Sequence, residues 1–298
     1  MSSQLLYTSD SLYYDGAVQS PAGDSRFQSI NPASASVLAD YIEASTHDCD
    51  AAVSSAMQAF PIWSQTPVLD RSRVLLRVAQ ILRQRNDELA MMETRDTGKA
   101  FSETSTVDIA GGADVFEFYG NLIGGGDLNG ESIPVDETSR VEMNKEPLGV
   151  CLGIGAWNYP MQIALWKAAP CLAAGNTMVY KPSEYTPAHG TVLAAILTET
   201  GCPPGTFNVV QGKGSVGAYL ASHPLISKVS FTGQVSTGQM VASSAVQGMK
   251  YVTMELGGKS PLIVLPDCDV EDAVNGAMMA NYFASGQICT MELVSLFL

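Results

Sequence analysis

Residues 150–184 read VCLGIGAWNYPMQIALWKAAPCLAAGNTMVYKPSE, and the parsing of this stretch decides the fold. Residues 150–156 are a short, uniformly apolar run closed by Trp157, Asn158, Tyr159 and Pro160, which predicts a buried strand ending in a turn. Residues 161–173 read as a helix, and 177–181 form a second apolar run closed by Lys181, Pro182, Ser183 and Glu184. Strand, helix, strand, with the strands apolar on both faces, is the pattern of a parallel sheet covered by helices on both sides. The alternation continues outward with helix 187–199, strand 207–211, helix 215–222, strand 228–231, helix 236–247 and strand 251–256. After Gly258 a strand over 261–265 and a helix from 269 to about 283 open a second unit. The predicted class is α/β, a Rossmann-like parallel sheet followed by an incomplete second α/β unit. Ligands of such sheets bind beyond the carboxyl ends of the strands, so chemistry is expected in the post-strand loops.

Upstream of Pro147 the texture differs. Residues 1–45 read as short β segments with turns, including Tyr13–Gly16, Asn31–Pro32 and 37–42. A helix is expected over 47–60, and a second behind Asp70 as its N-cap. That second helix carries an apolar stripe of Val74, Leu75, Val78, Ile81 and Leu82. Arg71, Arg73, Arg77, Arg83 and Arg85 fall largely off the stripe and are read as a solvated face balanced by Asp87, Glu88, Glu93 and Asp96. Helix 103–119 precedes the turn Gly124–Gly126, and 129–145 alternates as an exposed hairpin. It is open to being either an ordinary surface hairpin or a pairing edge for another subunit.

Composition narrows the partner. With 298 residues, 46% hydrophobic and 15% charged, the chain can bury a sizeable core. Thirty acids against sixteen bases leave a net charge of -14, which argues against nucleic acid or an anionic membrane because phosphates would be repelled. A small molecule is the expected partner. Cys49, Cys151, Cys171, Cys202, Cys268 and Cys289 contain no CxxC pair, and His47, His189 and His223 contain no HxxxH, so no metal site is expected. No window approaches the ~20 apolar residues of a membrane span, and the N-terminus lacks a basic segment before an apolar run. A reducing, cytoplasmic setting is the expectation, with most thiols serving as small core residues.

Several post-strand loops carry chemistry. Gly212–Gly217 is a formal GxGxxG, but no acid stands between Gly217 and Glu255, whereas a dinucleotide fingerprint wants one about 20 residues on. Gly214 and Gly217 are therefore read first as turn residues, with a place beside an adenine pocket as their alternative role. Lys181 and Glu184 suit a ribose, and Phe231, Thr232, Gly233 and Gln234 lead into a helix whose N-terminus suits a pyrophosphate. Together they favour a dinucleotide. Gly257–Ser260 imitates the end of a P-loop, yet Thr253 stands where that loop needs glycine. Asn158 is either a cap within an aromatic plug or an amide donor for an oxyanion between aromatic walls. Glu255 and Cys289 suggest a thiol nucleophile served by a carboxylate base, Cys289 lying where a helix end turns into a loop and a thiol pKa can fall below ~8.5.

The segments GAWNYP (155–160), KPSE (181–184), SFTG (230–233), MELGGKSP (254–261) and GQICT (286–290), in this order, resemble the NAD(P)-dependent aldehyde dehydrogenase superfamily from about Gln28 to Thr290. The segments EPLGVCLGIGAWNYPMQIALWKAAP and GMKYVTMELGGKSPLIV look closest to the branch acting on 4-trimethylaminobutyraldehyde, with the betaine aldehyde branch next. The resemblance implies NAD as cofactor, Cys289 as nucleophile, Glu255 as general base, Asn158 as oxyanion donor and Lys167 behind it. It implies Lys181, Ser183 and Glu184 at the ribose, and Trp157, Phe231, Thr232, Gly233, Gln234 and Thr237 about the phosphates. Gly214, Gly217, Leu256 and Gly257 complete the cofactor set. Tyr159 and Trp166 would wall the substrate tunnel, with an aldehyde, specifically an aminoaldehyde, as substrate. Gln234 stands where the family usually has a Ser, with Ser236 and Thr237 placed to compensate.

The implied organisation is a dinucleotide domain over 1–127 and 148–257, an oligomerisation hairpin over 128–147, and the start of a catalytic domain over 258–298. The family continues well beyond its cysteine, whereas here the tail MELVSLFL (291–298) departs from the family pattern and reads as an alternative end. The strand at 261–265 is then expected to lack sheet partners, with the apolar tail as an aggregation liability. A homo-oligomer is implied for the full-length family but not for this form. The competing expectation is a truncated, inactive fragment that binds NAD or another subunit.

Overall fold

The computed structural model describes residues 12–290 together with the backbone of 292–297. At its start, β1 (Leu12–Tyr14) and β2 (Ala17–Gln19) form a tight hairpin, and β3 (Arg26–Ile30) pairs antiparallel with β4 (Val37–Ile42). Helix α1 (Thr46–Gln65) is opened by a capping box in which Ser45 and Asp48 satisfy each other's backbone N–H groups. Helices α2 (Val68–Gln84) and α3 (Asn86–Thr97) follow. The short α4 (Phe101–Glu103) then runs through a π-helical turn, Thr104–Asp108, into α5 (Ile109–Gly124). Strands β5 (Glu131–Pro134) and β6 (Arg140–Met143) form the expected hairpin, exposed along its whole length.

The expected alternation then runs without interruption. Its elements are β7 (Val150–Ile154), α6 (Pro160–Ala173), β8 (Thr177–Lys181), α7 (Ala188–Glu199), β9 (Phe207–Val209), α8 (Gly214–Ser222), β10 (Ile226–Gly233), α9 (Val235–Gln247) and β11 (Tyr251–Leu256). These strands lie parallel in the order β11-β10-β7-β8-β9, and β1 and β2 continue the sheet antiparallel. The sheet is therefore mixed, its antiparallel edge supplied by the N-terminal hairpin. Alternate residues of each central strand enter different cores, as a period of two requires. Cys151, Met178 and Tyr180 pack with α2, α5, α6 and α7, while Leu152 and Val179 pack with α1, α8 and α9. Each fully buried Leu or Val in these layers contributes roughly 1.5–3 kcal/mol over its exposed state.

Three N-terminal expectations are corrected. Helix α1 passes Pro61 instead of stopping at 60, because Pro61 lies on the exposed side, where water can serve the carbonyl left without a donor, while Trp63 is buried and donates to Leu172 O at 3.0 Å. Helix α2 starts at Val68 behind Pro67, and Asp70 lies in its first turn, pairing with Arg73 at 2.7 Å. The arginines are not one solvated face. Arg71 is buried and donates to Thr66 O and Ala173 O, and Arg77 donates to Thr200 O, so both serve carbonyls at the ends of neighbouring helices.

Beyond Gly258 lie β12 (Ser260–Val264), α10 (Val270–Tyr282), a 3-10 turn (Phe283–Gly286) and β13 (Glu292–Phe297). Contrary to expectation, the 261–265 strand has a partner: β13, drawn from the apolar tail, pairs parallel with it, Leu262 opposite Ser295 and Val264 opposite Phe297. No residue of α10 is buried.

Candidate active site

The parallel strands end together, and their loops bring most of the candidate residues to one edge of the sheet. Lys181 closes β8, nearly buried, and its Nζ lies 3.4 Å from Glu184 Oε2. Burial lowers the Lys181 pKa, and Glu184 partly opposes that shift. Above it passes α8, where a Cβ added at Gly217 would stand 3.9 Å from Lys181 Cδ, so that helix sits close over the lysine. Gly212 adopts φ +154, and a Cβ there would lie 2.4 Å from Val216. The turn reading of this glycine motif therefore holds for its first residue. Ser183 is buried and its Oγ accepts from the Tyr185 N–H at 3.3 Å, so its visible work is to set the loop.

Strand β10 delivers Phe231, Thr232, Gly233 and Gln234 to the start of α9, whose first turn has no side-chain cap. Uncapped first-turn N–H groups at a helix N-terminus suit an anion. Close packing fixes that helix end: a Cβ at Gly238 would lie 2.6 Å from Leu256 Cδ2 and 3.4 Å from the Phe231 ring. Thr237 is half-buried on the same turn, Gln234 and Gly214 are exposed, and open space surrounds Gly214 and Gly257. Lys181 with Glu184 and the α9 N-terminus together form a donor and acceptor set that could hold a dinucleotide's ribose and pyrophosphate.

After β7, Asn158 reaches toward the loop carrying Cys289, its Nδ2 donating to Gln287 O at 2.6 Å. Gln287 Nε2 in turn donates to Thr97 O at 2.9 Å. Cys289 is exposed. Tyr159 is half-buried, and its pKa is raised first by burial and then by the surrounding acids and Cys289. One face of the Tyr159 ring is already engaged, since Lys99 Nζ lies 3.8 Å from its centroid. Trp157 and Trp166 are about half exposed. Before the loop, Ala284, Ser285 and Gly286 are three successive left-handed residues, with φ of 50°, 56° and 75°.

Glu255 lies exposed near the end of β11, paired in register with Thr232. Below it, Lys167 is buried and donates to Ser230 Oγ at 2.9 Å. Burial pushes its pKa down to about 7, Glu255 opposing and Lys228 reinforcing the shift. Glu255 thus acts electrostatically on Lys167 and Cys289 on Tyr159, while Asn158 bonds to the loop that carries Cys289. No hydrogen bond joins Glu255 to Cys289 among the described residues.

Sequence reading did not single out Lys99, Asp108 or Gln287. Lys99 is fully buried and ion-paired with Glu93 at 3.0 Å and with Asp108. Burial, and then the charge of Glu93, raises the Asp108 pKa to about 7, with Lys99 opposing. A buried polar trio drawn from positions 93, 99 and 108 could have been flagged only by asking what Asp108 does inside an apolar helix run. Gln287 stood inside the cysteine motif, but no sequence pattern reveals which carbonyl its amide meets. No group of His, Cys, Asp and Glu suited to a metal occurs among the described residues.

Comparison with known proteins gives a consistent result. A family model described as the aldehyde dehydrogenase family matches residues 18–295. The match runs into the tail, so residues 291–295 are not foreign to the family as the sequence reading expected. Among solved structures, the chain is similar to lactaldehyde dehydrogenase from Escherichia coli, with 33% identity and a TM-score of 0.91 over 96% of this chain and 60% of that one. It is similar to an aldehyde dehydrogenase from Brucella melitensis biovar abortus 2308, with 28% identity and a TM-score of 0.93 over 99% and 61%. A mutant of aldehyde dehydrogenase C from Pseudomonas syringae, complexed with NAD+ and octanal, matches at 35% identity and a TM-score of 0.90 over 97% and 59%. The chain spans about three fifths of the length of each.

Proposed function

The chain belongs to the aldehyde dehydrogenase family, and from that premise we propose that its site oxidises an aldehyde to the carboxylic acid with NAD. The supporting observation is the hydrogen bond from Asn158 Nδ2 to Gln287 O, which sets an amide donor beside the loop of an exposed thiol. Cys289, as thiolate, adds to the carbonyl carbon; the C–S bond forms as the carbonyl π pair moves to oxygen. The free N–H of Asn158 holds that oxygen. When bound, the dinucleotide supplies the oxidising chemistry by accepting the hydride the carbon gives up. Glu255 takes a proton from water, whose oxygen attacks the Cys289 thioester and breaks the C–S bond, releasing the acid and the thiolate. Lys181 and Glu184 hold the adenosine ribose, and the N-terminal turn of α9 with Gly233 and Thr237 holds the pyrophosphate. Lys167, buried and bonded to Ser230 Oγ, lies behind the oxyanion site and the proton path.

The substrate we propose is a cationic aminoaldehyde such as 4-trimethylaminobutyraldehyde. Trp166 offers an exposed indole to an ammonium group, and the net charge of -14 draws cations to the surface. The oligomerisation hairpin over 128–147 and a cytoplasmic location belong to the same reading. Because the chain spans about three fifths of its matches, a second reading is dinucleotide binding without turnover.

NADH formation from aldehydes, followed beside a Cys289→Ser control, separates the two. Turnover abolished by the substitution supports the enzyme. Calorimetric NAD binding with no turnover supports the binding fragment. A preference for trimethylaminobutyraldehyde over an uncharged aldehyde of equal length tests the substrate, and equal kcat/KM values would sink that part.

A further inference from the structure

We infer that Gln287 is the positioning residue for the Asn158 amide, an inference that rests on the aldehyde-oxidising reading of the site. A carboxamide can present either oxygen or nitrogen, and only nitrogen can stabilise an oxyanion. In this structure the choice is made by the cysteine loop itself: Asn158 Nδ2 donates to Gln287 O at 2.6 Å. Flipping the amide would set two oxygens at that distance, so the flipped state is excluded. One N–H of Nδ2 is thereby taken, and the second is left as the donor for the aldehyde oxygen.

The accepting carbonyl is held in turn. Gln287 Nε2 donates to Thr97 O at 2.9 Å, and the Gln287 N–H donates to Ala284 O at 3.1 Å. Thr97 is the last residue of α3, where Gly98 takes φ +77 and closes the helix. That corner is rigid, because Thr97 Oγ1 bonds Glu93 O at 2.7 Å and the neighbouring Lys99 is ion-paired to Glu93 and Asp108 in full burial. A strut thus runs from the buried ionic group through Thr97 and Gln287 to Asn158, and it carries no atom of Cys289. Gln287→Glu keeps the shape of the side chain but removes the N–H, setting a carboxylate oxygen against the Thr97 carbonyl.

The test reads the Asn158 hydrogen bond to the adduct oxygen without turnover. An aliphatic aldehyde such as hexanal, added without cofactor, forms a thiohemiacetal on Cys289; the C–S bond forms, and the thiol proton reaches the former carbonyl oxygen through solvent. The adduct protects Cys289 from alkylation by iodoacetamide. The half-protecting aldehyde concentration is expected to rise about tenfold in both Gln287→Glu and Asn158→Ala, the size of one net hydrogen bond. The double variant is expected to match Asn158→Ala alone, and alkylation without aldehyde to change less than twofold. Gln287→Asn, with a shorter amide that retains the donor, should recover part of the protection. Circular dichroism melting checks that each variant is folded, and only folded variants are compared. Additive losses in the double variant, unchanged protection in Gln287→Glu, or slowed alkylation without aldehyde would overturn the inference while leaving the aldehyde reading standing. Absence of protection in the wild-type chain would overturn both.

Discussion

Two stretches of this chain follow the same grammar and reach different ends. Between Val150 and Leu256, strand and helix alternate, and α6 buries twelve of its fourteen residues. Between Ser260 and Phe297 the order is again strand, helix, strand, yet α10 buries none of its thirteen residues, and Val270, Met279 and Tyr282 are largely exposed. Both stretches have the local pattern of a βαβ unit. Only the first has layers on both faces of its sheet, so regular structure and packing energy are separable here.

The largest break in the comparison should come from charge. Lys99 in the packed part is enclosed with Glu93 and Asp108, so Lys99→Met strands buried carboxylates and is expected to cost about 3–5 kcal/mol in urea unfolding. Lys259, exposed beside β12, should be replaceable by Met within about 0.5 kcal/mol. Equal costs would remove the distinction. Next in size is packing. Leu193→Ala in α7, at a fully buried site, should lose about 2–5 kcal/mol, whereas Met278→Ala in α10, 55% exposed, should stay within about 0.5 kcal/mol. A loss above 2 kcal/mol at Met278 would mean that α10 is covered in solution.

The alternation, the class and nearly every element of the packed part were legible because strand burial on both faces and helix spacing are written in local composition. Asn158, Glu255 and Cys289 stood out in the sequence because Asn158 follows a strand, Glu255 sits near a strand's end and Cys289 follows a helix end. Arg71, Lys99 and Gln287 were not, because their partners are backbone carbonyls or acids brought close only by folding. The pairing of β12 with β13 was missed for a related reason: parallel pairing leaves no turn signal between the partners.

Proton linkage tests the packed part at moderate amplitude. Lys167 has a folded pKa lowered to about 7 by burial, so between pH 7 and about 10 the unfolded chain binds the extra proton and stability rises with pH. Relative to Lys167→Met, the wild type should gain up to about 1.4 kcal/mol per pH unit in that window. Asp108 has the opposite sign. Its folded pKa is raised to about 7, chiefly by burial, so the folded chain binds the proton between about pH 4 and 7 and stability falls as pH rises. Relative to Asp108→Asn, the wild type should lose stability across that lower window. Parallel urea midpoints for wild type and Lys167→Met from pH 7 to 10 would show that Lys167 is hydrated, not enclosed.

The smallest effect concerns energy held in backbone instead of packing. Ser285 has φ 56° and is exposed just ahead of the Cys289 loop. A left-handed conformation costs a non-glycine residue about 1–2 kcal/mol, and glycine escapes that cost while losing about 0.5–1 kcal/mol of unfolded-state entropy. Ser285→Gly should therefore raise stability by roughly 0.5–1 kcal/mol, the reverse of glycine's usual effect. The control is Ala245→Gly, within α9 and fully buried, which should lose at least about 1 kcal/mol from helix propensity alone. If both glycines destabilise, the left-handed run before Cys289 stores no strain in solution, and the weakly packed part of the chain differs from the rest in burial alone.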